Sequence, residues 1–149
     1  MKIAILGGAG VLGSLLADTF TRDGHTVVVV DIQRPYEAWR LHEGRRGAVR
    51  MIDHSTFRVT LPSSLEVMYY WMYAENFDFS AFDVVIDAAI GSADRPVGLT
   101  SPREVALANL SVPLSIYARA SVKPSQIFIY PSSFNAMYGH RVISPDRLP

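Results

Sequence analysis

Three glycines near the start of the chain, Gly7, Gly10 and Gly13, have the spacing GxxGxxG. A turn of this kind lets the backbone approach a diphosphate closely, which side chains at those positions would prevent. The segment after it has helical periodicity, so its first amides and the positive end of its dipole would face the phosphates. We therefore expect Gly7, Gly10, Val11, Leu12 and Gly13 to hold a diphosphate. The alternative is a glycine turn that binds nothing.

An acidic residue, Asp31, ends the β-rich run Thr26–Val30. In a dinucleotide-binding unit, a carboxylate at this place accepts hydrogen bonds from the hydroxyls of the adenosine ribose. Because that charge repels a 2′-phosphate, we expect NAD to be preferred to NADP, although Arg34 nearby could offset the repulsion. The alternative for Asp31 is a solvated aspartate at a strand end.

Short β-rich runs alternate with longer helical segments, which is typical of a parallel sheet covered by helices. The run Thr26–Val30 is apolar throughout, so both of its faces must be covered. The predicted fold is an α/β, Rossmann-type, doubly wound parallel sheet with strand order 3-2-1-4-5. The predicted strands are Ile3–Leu6, Thr26–Val30, Ala48–Ile52, Asp83–Ala88 and Gln126–Tyr130, and the predicted helices are Val11–Asp23, Ser64–Glu75 and Pro102–Ser121.

The helix predicted over Ser64–Glu75 depends on the capping-box spacing of the SSLE segment that begins at Ser63. Its aromatic side chains could form a platform for stacking bases. Met68 and Met72 have a core-type spacing, however, which favours core packing or an oligomer face. Residues 53–60 fit either a longer loop or an extra strand.

The composition, with 49% hydrophobic and 19% charged residues, is typical of a folded globular chain. Its length of 149 residues predicts one domain. Its 14 basic and 14 acidic residues cancel, so no broad positive field attracts nucleic acid or an anionic membrane. No apolar run approaches the roughly 20 residues of a membrane-spanning helix. The absence of cysteine excludes disulfides and favours the cytoplasm, and the four histidines lack metal-ligand spacing, so no metal site is expected.

Three segments carry a family resemblance: the opening ILGGAGVLG, the later VVIDAA and the final IFIYPSSFNAMYG. In this order they resemble the amino-terminal part of the extended short-chain dehydrogenase/reductase family, the nucleotide-sugar epimerases and dehydratases. The resemblance implies a Rossmann fold, NAD as the cofactor and a nucleotide-sugar substrate in the full-length parent. The implied activity is oxidoreductase-type epimerisation or dehydration, with hydride transfer between a sugar carbon and the nicotinamide.

The resemblance also implies roles for single residues. Asp53, after the predicted third strand, would contact the adenine amino group, and Ala88 and Ala89 are small enough to pass under the inner ribose. Asn109 would brace the active site beside the cofactor. Asp87 stands where the family more usually has a neutral residue or a histidine.

The catalytic groups that the resemblance implies are incomplete in this chain. Phe134 occupies the family's position for a catalytic hydroxyl, four residues before Tyr138, which leaves Ser132 and Ser133 as the catalytic candidates. Ser133 could equally be a strand-end cap. The family's YxxxK pair is absent, since neither lysine follows a tyrosine by four residues. By the family's spacing, that pair would fall after Pro149.

Two interpretations follow. In the first, residues 1–149 are a single dinucleotide-binding domain, the amino-terminal piece of a longer enzyme, without the later strands and the substrate subdomain, and inactive alone. In the second, they form a non-catalytic NAD(P)-binding module that senses redox state for a partner. The first is favoured because a sheet that ended at QIFIY would expose an apolar edge. That edge, or the aromatic helix, could support a homo-oligomer.

Overall fold

The structure is a computed structural model, in which residues 1–35, 48–89, 114–115, 117–118 and 125–130 are described. Among these residues, helix α1 spans Val11–Arg22 and a single 3-10 turn spans Ala74–Asn76. The strands are β1 (Lys2–Leu6), β2 (Thr26–Asp31), β3 (Val49–Met51), β4 (Thr56–Thr60), β5 (Glu66–Trp71), β6 (Val84–Asp87) and β7 (Ile127–Ile129). They form one sheet in the order β3-β4-β5-β2-β1-β6-β7.

Five neighbouring strands of this sheet, β5, β2, β1, β6 and β7, are parallel. Numbered among themselves along the chain, they have the order 3-2-1-4-5, so the predicted Rossmann-type sheet is confirmed. The predicted first helix is also confirmed, with Gly24 at φ 82° just beyond it.

Strand β2 is covered on both faces, as its apolar sequence requires. On one face Val27 and Val29 join a core cluster against which Phe20 of α1 packs. On the other face Val28 and Val30 join a second cluster that includes Phe79. The centre of the parallel sheet is therefore rigidly packed, and its carboxyl edge carries the turns described below.

The third parallel strand is β5, so the helix predicted over Ser64–Glu75 is wrong, and with it the proposed aromatic helical face for oligomers. The predicted strand Ala48–Ile52 exists in shorter form as β3, but it pairs antiparallel with β4 at the edge of the sheet. Strand β4 in turn pairs antiparallel with β5. The open alternative at residues 53–60 is thus settled as an extra strand.

The serines of the supposed capping box lie in the turn between β4 and β5. The turn is closed by a bond of 2.9 Å from the Ser64 amide to the Leu61 carbonyl, and by one of 2.7 Å from the Leu61 amide to the Leu65 carbonyl. Ser64 has a φ of 68°, which no residue of a right-handed helix adopts. The local sequence therefore reverses the chain instead of starting a helix.

The later predicted elements are described only in part. Strand β7 confirms the predicted fifth strand, and the described residues 114–115 and 117–118 of the predicted helix Pro102–Ser121 are helical. In the described part of the chain, no helix is long and apolar enough to cross a membrane. The same residues contain no group of three or more potential metal ligands.

Candidate dinucleotide-binding site

The glycine turn joins β1 to α1, and at Gly7 and Gly13 an added side chain would meet backbone atoms. Gly7 has a φ of 67°, and a Cβ added there would lie 2.6 Å from the Cα of Ala89. A Cβ on Gly13 would lie 2.3 Å from the carbonyl oxygen of Gly7. At Gly10 the nearest atom would be 3.2 Å away, so this position is less crowded. The turn is thus pressed between the start of α1 and the end of β6.

Backbone hydrogen bonds fix the turn at the carboxyl edge of the sheet. The Gly7 amide donates to the Val30 carbonyl at 3.0 Å, and the Gly10 amide donates to the Gly7 carbonyl at 3.0 Å. Gly10 is the N-cap of α1, and no side chain caps the helix or places an acid in its first turn. The first amides of a helix have no partner within it, so α1 presents bare N–H groups and positive dipole at this edge.

The carboxylate of Asp31 faces the glycine turn. Its Oδ2 accepts a hydrogen bond of 3.0 Å from the Ala9 amide, and its Oδ1 accepts one of 2.9 Å from the Gln33 amide. Asp31 ends β2, beside β1, so the two strands deliver the carboxylate and the turn to the same place. The structure therefore brings these two predicted features together, and contact with a ribose remains a prediction.

Aromatic side chains of β5 hold the loop after Asp31. The Trp71 indole Nε1–H donates to the Ile32 carbonyl at 2.8 Å, and the Tyr69 hydroxyl donates to the Gln33 carbonyl. The guanidinium carbon of Arg34 lies 4.4 Å from the centroid of the Trp71 ring. Sequence reasoning missed these contacts because it placed both aromatic residues on a helix.

Asp53 is at the same edge of the sheet, but farther out than expected. It lies in the turn between β3 and β4, where its Oδ1 accepts bonds of 2.8 Å from the amides of Ser55 and Thr56. These bonds, chiefly that from Ser55, hold the pKa of the exposed Asp53 carboxyl below its usual value. The residue directly after the third parallel strand is Met72, so the strand position that supported Asp53 is wrong. Its contact with adenine stays untested.

The end of β6 forms the other side of the turn. The Ala88 amide donates to the Leu6 carbonyl at 3.0 Å, which places Ala88 and Ala89 against Gly7. The Asp87 side chain is 3% exposed, and its Oδ1 accepts a bond of 3.0 Å from the Ala89 amide. Among the described residues, nothing donates to its Oδ2. Burial raises the pKa of Asp87 to about 6.

Three predicted site residues, Asn109, Ser132 and Ser133, lie outside the described residues. Their roles therefore remain predictions. The described part of the site comprises the glycine turn, the Asp31 carboxylate and the end of β6.

A parallel sheet of this order, with a glycine turn before its first helix and a carboxylate ending its second strand, defines the class of Rossmann-type dinucleotide-binding folds. The model of the NAD dependent epimerase/dehydratase family matches residues 3–147. The chain belongs to this family.

Solved structures agree on the fold. The UDP-glucose 4-epimerase of Thermotoga maritima, solved with UDP-glucose, is 22% identical, with a TM-score of 0.61 over 97% of this chain and 41% of that one. The UDP-glucose-4-epimerase of Stenotrophomonas maltophila, solved with NAD and formylated UDP-arabinopyranose, is 19% identical, with a TM-score of 0.63 over 97% of this chain and 40% of that one.

The UDP-glucuronic acid 4-epimerase of Bacillus cereus, solved with UDP-glucuronic acid and NAD, is 19% identical, with a TM-score of 0.63 over 100% of this chain and 46% of that one. The chain thus spans less than half the length of each of these proteins. Among curated proteins, no sequence matches this chain.

Proposed function

We propose that this chain binds NAD as the dinucleotide-binding domain, residues 1–149, of a nucleotide-sugar epimerase or dehydratase. The observation that carries the proposal is the 3.0 Å bond from the Ala9 amide to the Asp31 carboxylate. It puts a ribose acceptor one hydrogen bond away from a turn that suits a diphosphate. In a dinucleotide the adenosine ribose is attached directly to the diphosphate, so the two groups must be neighbours.

The diphosphate would lie against the start of α1. The amides of Val11, Leu12 and Gly13 are the helix's first N–H groups, and the dipole there favours negative charge. Gly7 and Gly13 allow the turn to pack tightly against the start of α1 and the end of β6, because a side chain at either position would meet backbone. Net charge contributes nothing to this binding, since the chain as a whole is neutral.

The preference for NAD over NADP follows from charge. Asp31 would accept hydrogen bonds from the ribose hydroxyls, whereas a 2′-phosphate would bring two negative groups together. Arg34 lies in the same loop, but its guanidinium is stacked on Trp71. We therefore propose NAD as the preferred ligand.

The nicotinamide end would extend past β6. Ala88 and Ala89 carry small side chains beside Gly7, which leaves room for the inner ribose. The chemistry that a bound nicotinamide supplies is hydride transfer to and from a sugar carbon. Ser132 or Ser133 is the proposed catalytic hydroxyl, and Asn109 the proposed brace of the active site.

We further propose that the 149 residues alone do not turn over a nucleotide sugar, because they contain no YxxxK pair to act as acid and base. The missing pair also favours the second candidate, a redox-sensing module that binds NAD(P) without chemistry. Turnover of UDP-sugars by the purified chain would contradict its proposed inactivity and would also contradict a non-catalytic module. A reading frame that continues into a YxxxK sequence would decide for the enzyme.

Calorimetric titration of the purified chain tests the binding proposal. We expect saturable binding of NAD, weaker binding of NADP, and binding of ADP-ribose, which retains the diphosphate and both riboses. No binding of NAD and ADP-ribose would refute the proposal. Inorganic diphosphate serves as the control for charge alone and should bind much more weakly than ADP-ribose.

A further inference from the structure

One peptide group connects the core of the sheet to the Asp31 carboxylate. The carbonyl of the peptide between Ile32 and Gln33 accepts the Trp71 indole N–H at 2.8 Å. The N–H of the same peptide donates to Asp31 Oδ1 at 2.9 Å. Hydrogen bonds in such a chain polarise one another, so the indole bond strengthens the amide's bond to the carboxylate.

The next peptide group is held in the same way. The Gln33 carbonyl accepts the hydroxyl of Tyr69, a residue that is 0% exposed and lies in the core of the sheet. Tyr69 and Trp71 are two residues apart on β5, so their side chains leave the same face of the sheet. Two consecutive carbonyls are therefore fixed to one rigid strand.

A third contact fixes the end of this loop. The Arg34 guanidinium covers the Trp71 ring at 4.4 Å from its centroid, a distance at which a cation and an indole attract each other. The backbone contributes as well, since the Met72 amide donates to the Asp31 carbonyl at 3.0 Å. Each residue from Asp31 to Arg34 is thus in contact with β5 or with Met72, the residue that follows it.

We infer that Trp71 and Tyr69 are positioning residues for dinucleotide selectivity: through the Ile32 and Gln33 carbonyls they hold Asp31 where it reads the ribose 2′-hydroxyl. The inference rests on the proposed function. Without the two donors, the Ala9 amide still bonds to Asp31 Oδ2, but the loop that presents the Gln33 amide to Oδ1 is held less firmly, so the carboxylate is positioned less precisely. The ligand's 2′-substituent then matters less, whether it is a hydroxyl, a hydrogen or a phosphate.

The test compares two conservative variants, Trp71→Phe and Tyr69→Phe, with Tyr70→Phe as the matched control. Tyr70→Phe removes the same hydroxyl as Tyr69→Phe but on the opposite face, where Tyr70 packs against Phe77. Each variant is titrated with NAD, with NAD lacking the adenosine 2′-hydroxyl, and with NADP. Circular dichroism and a thermal melt check that each variant folds.

In the wild-type chain, removal of the 2′-hydroxyl is expected to weaken binding about tenfold, the value of a hydrogen bond to a charged group. In Trp71→Phe and Tyr69→Phe that difference should shrink to about twofold, and the rejection of NADP should fall in parallel. Tyr70→Phe should keep the wild-type ratios. If Tyr69→Phe fails to fold, Trp71→Phe decides alone.

Equal weakening for all three ligands would show a merely structural role and overturn the inference. Unchanged ratios with unchanged affinity would overturn it as well. In both cases the wild-type chain still binds NAD, so the proposed function stands. A wild-type chain that binds none of the ligands instead refutes the proposed function itself.

Discussion

The backbone amide of Ala9 donates a hydrogen bond of 3.0 Å to the carboxylate of Asp31, although 22 residues separate them in the chain. The bond exists because β1 and β2 are parallel and in register, with Leu6 opposite Val30. Both strands therefore end together, and the residues that follow them meet. The result is a negatively charged hydrogen-bond acceptor beside a backbone turn without bulky side chains, at the N-terminus of α1.

Asp31→Asn tests the carboxylate directly. The change keeps the size of the side chain but removes the negative charge. The carboxylate would accept hydrogen bonds from the ribose hydroxyls, and its charge would repel a 2′-phosphate. NAD affinity should fall by at least about tenfold, as expected for hydrogen bonds to a charged group, and NADP affinity should fall much less. Calorimetric titration measures both. Asp23→Asn, at an exposed position beyond α1, is the control, and equal losses for the two ligands would argue against the ribose role.

Gly13→Ala tests the packing of the turn. The added Cβ would lie 2.3 Å from the Gly7 oxygen, so the turn or α1 must shift, at a cost of about 1 to 3 kcal/mol in the free energy of unfolding. NAD binding should weaken together with stability. Gly10→Ala is the matched control, because its Cβ would lie 3.2 Å from the nearest atom. The prediction fails if urea unfolding shows Gly10→Ala to be the more damaging change.

Asp87→Asn tests the buried carboxyl through pH. The pKa of Asp87 is about 6 in the folded chain, above its ordinary value of 3.8, because of burial. Well below pH 4, near pH 3, the carboxyl is mostly protonated in both states and costs almost no stability. As the pH rises towards 6, the unfolded state ionises first, so the folded state loses about 3 kcal/mol relative to it.

The variant cannot ionise at this position, so it should lack that loss. The free energy of urea unfolding is measured at pH 4 and pH 7 for both proteins. Because a small part of the loss has already occurred at pH 4, the wild-type chain should lose about 2 kcal/mol more than Asp87→Asn between the two pH values. Parallel pH profiles would show that Asp87 has an ordinary pKa.

Ser64→Gly distinguishes the observed turn from the helix that the sequence predicts. At a φ of 68° a glycine avoids the strain of a side chain, so the variant should be more stable by about 0.5 to 1 kcal/mol. In a helix the same change would be destabilising. Ser63→Gly, one residue earlier, is the control and should bring no gain. Urea unfolding gives the sign, and a loss of stability in Ser64→Gly would contradict the turn.

The sequence predicts four of the five parallel strands correctly, β1, β2, β6 and β7, because each of them is a short apolar run between turn signals. Strand β5 breaks this rule. Val67 and Tyr69 face one core cluster while Met68 and Tyr70 face the other, so the alternation of apolar and polar residues that marks a strand is lost. A chance capping-box spacing before it then favours a helix. The pairing of β5 with β4 is a tertiary fact that local patterns do not contain.

The candidate site divides in the same way. The glycine turn and Asp31 follow from motif spacing and from the geometry of parallel strands, so the sequence predicts their proximity. The hydrogen bonds from Tyr69 and Trp71 to the loop after Asp31 could be predicted only if β5 were known to lie beside β2. The sequence predicts a helix in place of β5, so these bonds were missed. The same error moved the expected adenine position to Asp53, in the turn of the outer hairpin.

The central claim is that bare amides at the start of α1 hold a diphosphate while Asp31 reads the attached ribose. Amide chemical shifts of the ¹⁵N-labelled chain during titration with NAD test it most directly. We expect the largest shifts at Val11, Leu12 and Gly13 and in the loop after Asp31, and we expect Asp31→Asn to diminish the shifts in that loop. Saturable NAD binding with its largest shifts elsewhere on the chain would contradict it.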